Sequence, residues 1–348
     1  MNKGGNFYVT AKDPAGPWSE PVWLDKDGWD PLCSLIVTER CLTRNGKDEN
    51  GRDGIVQYMI DPKTGKHTSE TKLIWKGSGN FGTEGPHIFK RKDFYYLLVA
   101  EGGTHGGHMV SIARSASPWG PFESYKANPI LTHRDELWRR IQATGHGDMV
   151  EAHDGSWWLV CLGIRNYGSL MHLSHTLGRE TCLAPVDWNS EGWPVVNSSG
   201  KVDEEMKVRT LTLKPWPQSL LLDNFEEGGL AMPWNFLRNQ DISLWSLSGR
   251  KGWLVLHGNA NNLDSISPSA FIGRRQEHHY CKVSTQLDFI PSSDNEEAGI
   301  TVFAAENYHF DFAITTLKGR RNLIVRRNVD DIKFISLSLP IPDGDLTL

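Results

Sequence analysis

The stretch "GTEGPHIFKRKDFYYLLVAEGG", residues 82–103, sets one carboxylate, Glu84, between glycines and beside a proline and a histidine. A strand-like apolar run follows, then a second acid, Glu101, in another glycine bracket. Gly85 and Pro86 fix the backbone just after Glu84, and the strand that follows anchors it. A carboxyl held in a partly dry site has its pKa raised, stays protonated near neutrality and can donate a proton. The same residues also read as a turn that carries a charge.

Runs of similar texture extend on both sides. "NFYVTA" (6–11), "HMVSIARS" (108–115) and "SWWLVCLGI" (156–164) are short, rich in β-branched and aromatic residues, and bounded by Gly and Pro. That pattern predicts an all-β chain. The best helix-like stretch is "RDELWRRIQ", Arg134–Gln142. A weak repeat links Val9–Glu20 to Ser111–Ser124: each ends a strand in small residues and enters a Pro/Gly turn with an aromatic. The two copies lie about 100 residues apart, or two units of about 50, which suits propeller blades. The texture changes near residue 205, where "VDEEMKVRTLTLKPWPQSLLLDNFEEG" reads as a connector. The runs "GWLVLHG", "CKVSTQLDFIP", "GITVFAAENYHFDFAIT" and "RNLIVRRN" then predict a second all-β unit of sandwich type.

The chain has 348 residues, enough for two ordinary domains, with 39% hydrophobic and 23% charged residues. A net charge of −5 and a pI near 6.2 give no electrostatic footprint for nucleic acid or an anionic membrane. No apolar run is long enough to predict a membrane helix, and the first residues carry no signal-peptide pattern. Fourteen tryptophans stand out; they fit either sugar-binding aromatic faces or a Trp-rich core. Five cysteines without CxxC spacing argue against a disulfide framework or a zinc site. One glycosylation sequon occurs at Asn197.

Three further positions can carry chemistry. Asp30 in "DGWDP" precedes a proline, which predicts an extended residue at a strand start, either facing a central site or forming an ordinary Asp-Pro turn. His146 lies between glycines with Asp148 two residues on: a metal pair, a charge-oriented histidine, or a satisfied loop. Arg179 sits between Gly178 and Glu180, where its fork can hold sugar hydroxyls, tune a carboxylate, or pair with Glu180 on the surface.

Taken together, "NFYVTAKDPAGPWSEPVWLD", "TEGPHIFKRKDFYYLLVAEGGTHGGHM", "SIARSASPWGPFESYKANPILTHR", "QATGHGDMVEAHDGSWWLVCLGIR" and "LGRETCLAPVDWNSEGWPVVN" closely resemble glycoside hydrolase family 43, in its β-xylosidase and α-L-arabinofuranosidase branch. "WNFLRN", "FIGRRQEHHYCKVSTQLDF" and "EEAGITVF" resemble that branch's C-terminal sandwich. The resemblance implies a five-bladed β-propeller over residues 1–205, a linker over 206–220 and a concanavalin-like β-sandwich over 221–348. It implies inverting hydrolysis of β-1,4-xylosidic or α-L-arabinofuranosyl bonds in xylo-oligosaccharides or arabinoxylan. Glu84 matches the general acid and Asp30 the Asp that orients it and tunes its pKa. Arg179 and His146 match residues lining the sugar pocket. No cofactor is required; some relatives hold a divalent cation near the propeller axis, for which His146 is the candidate ligand here, through water. A homo-oligomer is compatible with the branch, and location is left open.

The departures from the family pattern are specific. The family's general base lies ahead of the "NFYVTA" strand, in a segment of about two blades, so no residue here is assigned that role and the chain is expected to be an N-terminally shortened propeller. The sandwich is expected to be short of strands after "PIPDGDLTL". The alternative expectation for such a chain is an inactive protein that at most binds carbohydrate. After Asp30 the family reads Ser-Leu-Phe-Phe-Asp-x-Asp-Gly, where this chain has "LCSLIVTERC". A one-base shift of one back-translation of Ser-Leu-Phe-Phe-Asp-Ser-Asp yields Leu32–Thr38, so a local frame slip rejoining near Arg40 is expected, with loss of that strand's inward aromatics. Sequencing the transcript checks this: a clean read in the family-wide frame that encodes Leu32–Thr38 removes the idea.

Overall fold

The computed structural model describes residues 5–24, 30–36, 39–167, 174–208, 210–218 and 221–348, and side-chain surroundings are not described for 33–39. Val37 and Thr38 of the expected frame slip, and Asp27 to Trp29 of "DGWDP", fall outside them. Two compact units are formed, Met1–Lys214 and Pro215–Leu348.

The first unit is built of strands β1 (Phe7–Tyr8), β2 (Val22–Trp23), β3 (Leu32–Ile36), β4 (Glu39–Lys47), β5 (Asp53–Met59), β6 (Lys72–Trp75), β7 (Glu84–Arg91), β8 (Phe94–Glu101), β9 (Met109–Ser115), β10 (Glu123–Ser124), β11 (Leu131–Thr132), β12 (Ile141–Glu151), β13 (Trp157–Arg165), β14 (Glu180–Trp188) and β15 (Pro194–Val196). They form three antiparallel meanders of blade type: β3-β4-β5-β6, β7-β8-β9-β10 with β11 also on β9, and β12-β13-β14-β15. β1 and β2 form a separate two-stranded ladder. The all-β, propeller-type expectation holds. β7 packs beside β3 and β4, and β12 beside β8 and β9, so successive sheets stack face to face.

The apolar run of β8 shows why. Successive side chains of a strand point to opposite faces. Tyr96 and Leu98 join a core with Val110, Ile112, Met149, Trp157 and Leu159 of β9, β12 and β13. Leu97 and Val99 join another with Ile55, Ile74 and Trp75 of β5 and β6. A strand buried on both faces reads as a continuous hydrophobic run, not an alternating one. Trp75, Trp157, Trp158 and Trp193 are core residues, as the Trp-rich-core reading expects, whereas Trp18, Trp138 and Trp216 are exposed.

The weak repeat has a structural counterpart. Both turns close through a backbone bond, Gly16 N to Asp13 O at 2.8 Å and Gly120 N to Ser117 O at 3.1 Å, and both glycines sit at positive φ before a cis proline. Two expectations are corrected. Arg134–Gln142 is not helical; residues 134–140 form turns and bends and Ile141 and Gln142 open β12, held by Arg139 to Glu136 and Asp203 and by Gln142 Nε2 donating to the carbonyls of Glu136 and Arg139. Nine residues are too few to sustain an isolated helix, and Leu137 and Trp138 remain exposed, so no apolar face pays for one. Asp30 is not extended: its φ is +45°, in the left-handed region that aspartate tolerates better than most residues.

β3 is a paired strand despite its unusual sequence, with Leu32 opposite Thr43 and Ile36 opposite Glu39. Ladder bonds use only the main chain, so this pairing does not depend on which side chains the segment carries.

The second unit centres on a four-stranded antiparallel meander, Glu297–Ala305, Tyr308–Leu317, Arg320–Val329 and Ile332–Pro340. One face buries His309, Asp311, Ala313, Thr315, Asn322, Ile324 and Asn328; the other exposes Tyr308, Phe310, Val329, Ile332, Phe334, Leu337 and Leu339. His309 lies between two carboxylates, Asp311 at 2.8 Å and Asp264 at 2.9 Å. The strands expected in "CKVSTQLDFIP" and "GWLVLHG" are each only two residues, Gln286–Leu287 and Val255–Leu256, because each pairs with a two-residue partner.

Leu98→Ala removes a fully buried side chain from the core between the second and third sheets. It should cost about 2–5 kcal/mol in urea unfolding followed by tryptophan fluorescence.

Candidate active site

The sequence-predicted residues meet at one end of the three sheets. Asp30 lies two residues before β3, and Glu84 is the first residue of β7. β7 starts level with the end of β8, since Glu84 faces Ala100, and β9 starts there too, since Met109 faces Glu101. His146 lies at the middle of β12, and Arg179 directly precedes β14, whose Glu180 faces Gly163 of β13.

A β-bulge aims the acid. Glu84 pairs with Ala100 and His87 with Leu98, so Gly85 and Pro86 together oppose Val99. Bulges bend a strand and redirect its side chains next to functional sites. Gly85 is required twice over. Its φ is +56°, and a Cβ there would lie 2.8 Å from Nε2 of His146. The imidazole of His146 therefore rests on the backbone of the residue after Glu84. That same Nε2 is 4.0 Å from Oδ2 of Asp30. Asp30 and His146 both have positive φ, a conformation that costs free energy for non-glycine residues and concentrates at functional sites. Glu84 is half-buried, and its carboxylate accepts no hydrogen bond from a described residue.

Glu101, the second acid of the opening stretch, is structural. It is 1% exposed, and it accepts from the Ser78 backbone N–H at 2.9 Å, from Thr83 Oγ1 at 3.0 Å and from Ser78 Oγ. A buried carboxylate satisfied by three donors pins the turn that leads into Glu84.

The His-x-Asp pair divides. Asp148 does not orient His146; it faces His87, at 3.3 Å from Nδ1. Burial opposes its ionisation, but the hydrogen bond and charge of His87, with the Met149 N–H at 2.8 Å, hold its pKa below the usual aspartate value. The rings of His87 and His146 lie 6.5 Å apart. Arg179 is exposed and not paired to Glu180, which Arg165 holds bidentately at 2.7 and 2.8 Å. Arg179 makes no ion pair among the described residues, so its fork is free toward a ligand.

Sequence reasoning missed His108. It is 1% exposed, its ring lies flat against Gly145, and its Nδ1 is 3.3 Å from the carbonyl of Ala143. A carbonyl accepts only, so Nδ1 carries the proton and Nε2 is a bare acceptor, buried and without a partner among the described residues. Burial first, and then the charges of His146 and Arg179, push its pKa down to about 4, and that coupling places all three in one neighbourhood. The signal was present in "GGTHGGHM", where His108 follows two glycines and opens an apolar run. Among the described residues, no three His, Cys, Asp or Glu side chains are grouped to hold a metal ion. The donors around His146 do not fit a protein-built cation cage.

The arrangement can therefore present the Glu84 carboxyl, the Asp30 carboxyl beside the His146 imidazole and the Arg179 guanidinium to one ligand, with His108 buried behind them. Residues 1–194 match the sequence profile of glycosyl hydrolases family 43, and residues 222–345 match that of the beta xylosidase C-terminal concanavalin A-like domain. The chain belongs to glycosyl hydrolase family 43. It is 40% identical, over 94% of its length, to a non-reducing end alpha-L-arabinofuranosidase of Bacteroides ovatus, of which it spans 60%. It is 32% identical, over 95% of its length, to a xylan 1,3-beta-xylosidase of a Vibrio species, of which it spans 65%. Its fold superimposes on the crystal structure of a xylan beta-1,4-xylosidase from Bacillus halodurans with a TM-score of 0.89 at 30% identity, covering 98% of this chain and 67% of that one.

Two outcomes test this geometry. Gly85→Ala should destabilise the first unit by about 1–3 kcal/mol in urea unfolding, from positive φ and the clash with His146. His108 binds a proton near pH 6.5 when unfolded but only near 4 when folded. Its contribution is thus intact above about pH 6.5 and lost as pH falls toward 4, by about 3 kcal/mol. His108→Gln should lose correspondingly less stability than the parent across that window.

Proposed function

We propose that this chain carries the acid half of an inverting glycoside hydrolase acting on β-1,4-xylosidic or α-L-arabinofuranosyl bonds of hemicellulose oligosaccharides. The observation that carries the reading is the contact of His146 with Gly85, which joins Glu84 to Asp30 across two sheets. In this reading residues 1–205 are the catalytic propeller unit, 206–220 the linker and 221–348 the sandwich.

Glu84 protonates the glycosidic oxygen as the bond to the anomeric carbon breaks. Asp30 keeps that acid oriented through His146, which contacts both Asp30 and the backbone next to Glu84. His146 and Arg179 hold sugar hydroxyls on the near side of the ring. Water attacks the opposite face, activated by a base about 6.5–9.5 Å from the acid in inverting enzymes. No residue described here is assigned as that base. The reaction as drawn needs no cofactor.

The test is hydrolysis of aryl β-xylosides and aryl α-L-arabinofuranosides, with xylo-oligosaccharide binding by calorimetry. Glu84→Gln should cut turnover on a poor leaving group by about 10²–10⁴-fold and spare most of it on a good one. Equal loss on both counts against the acid role. Binding without turnover in the parent chain favours a carbohydrate-binding protein instead.

A further inference from the structure

Two cysteines of the third sheet face each other. Cys161 of β13 stands directly opposite Cys182 of β14 in the antiparallel register. Side chains at directly opposed positions leave the sheet on the same face. Opposed Cα atoms in such ladders are about 4.5–5.5 Å apart, inside the roughly 4.4–6.8 Å window of a disulfide. The thiols are reduced and hydrogen-bonded to each other. Room for them comes from Gly163, where a Cβ would lie 3.1 Å from Sγ of Cys182. Cys161 is 4% exposed in the core of the sheet, whereas Cys182 is half-buried and reachable.

We propose that Cys161 and Cys182 are a redox-responsive dithiol that closes to a cross-strand disulfide when a peroxide reaches Cys182. The pair is asymmetric in a way that assigns the roles. The hydrogen bond from Cys161 favours the Cys182 thiolate, against the cost of burial and the charge of Glu180 and with help from Arg165. The same hydrogen bond and burial hold Cys161 as a thiol. The Cys182 thiolate attacks one oxygen of hydrogen peroxide; the O–O bond breaks, hydroxide leaves, and Cys182 becomes a sulfenic acid. The sulfur of Cys161 then attacks that of Cys182. The S–O bond breaks, hydroxide leaves and takes up the Cys161 proton as water, and the disulfide remains. Peroxide is reduced by two electrons and the two thiols are oxidised by two.

The cross-link would tie β13 to β14 three residues after Arg179 and two after Glu180. It would fix the strand start that presents Arg179 beside the site. This inference stands on the thiol geometry alone and survives if the chain hydrolyses no glycoside.

The experiment treats the full chain with hydrogen peroxide, blocks residual thiols after denaturation, and maps peptides without reduction. The expected product is one Cys161–Cys182 linked peptide pair, lighter by the two hydrogens lost, present in Cys281→Ser and absent in Cys182→Ser. Its thermal midpoint should rise by roughly 5 °C and fall back on reduction. Recovery of Cys161 as an alkylated thiol with Cys182 either alkylated or over-oxidised overturns the proposal, as does a link from either residue to another cysteine. Cys281, exposed and in the other unit, serves as the internal measure of unselective oxidation.

Discussion

The site depends on an absence: no Cβ on residue 85. A methyl group there would occupy the place of the His146 imidazole. That one close approach joins the first strand of the second sheet to the first strand of the third. Through His146 it also reaches Asp30 before the first strand of the first sheet. Glu84 gets its position from both neighbours: the bulge at Gly85 and Pro86 on one side, and the Glu101-anchored turn on the other. The first support is a backbone bulge and the second a buried, fully satisfied carboxylate, and each fixes the chain on one side of Glu84.

Packing serves the same arrangement. Because β8 sends Tyr96 and Leu98 one way and Leu97 and Val99 the other, the second sheet is wedged between two cores. The edge where Glu84 starts is thereby held in register with the sheets on either side. Glu84 and His146 stand in strands, and Asp30 and Arg179 lie just before one, so the strands fix their spacing.

Much of this was legible in the sequence. Gly85 and Pro86 marked a fixed backbone beside Glu84, and the apolar run that follows marked the strand that anchors it. Local patterns did not carry the pairings. Asp148 follows His146 by two residues, yet it serves His87, because a bulge in β12 between Gly145 and Asp148 changes which neighbour each side chain meets. Arg179 and Glu180 are adjacent, yet Glu180 belongs to Arg165 across the strand. The left-handed backbone of Asp30 ran against the expectation set by Pro31, because tertiary contacts outweigh a local preference of this size. Arg134–Gln142 had helical composition without a buried face to stabilise a helix.

Each of the three stacked sheets lends the site one residue from its leading strand or the approach to it: Asp30, Glu84 and His146. None of these sheets alone could display even a reduced version of it. The spacing of these three side chains is therefore an all-or-nothing property of the assembled stack, and whatever selects that spacing selects cooperative folding at the same time.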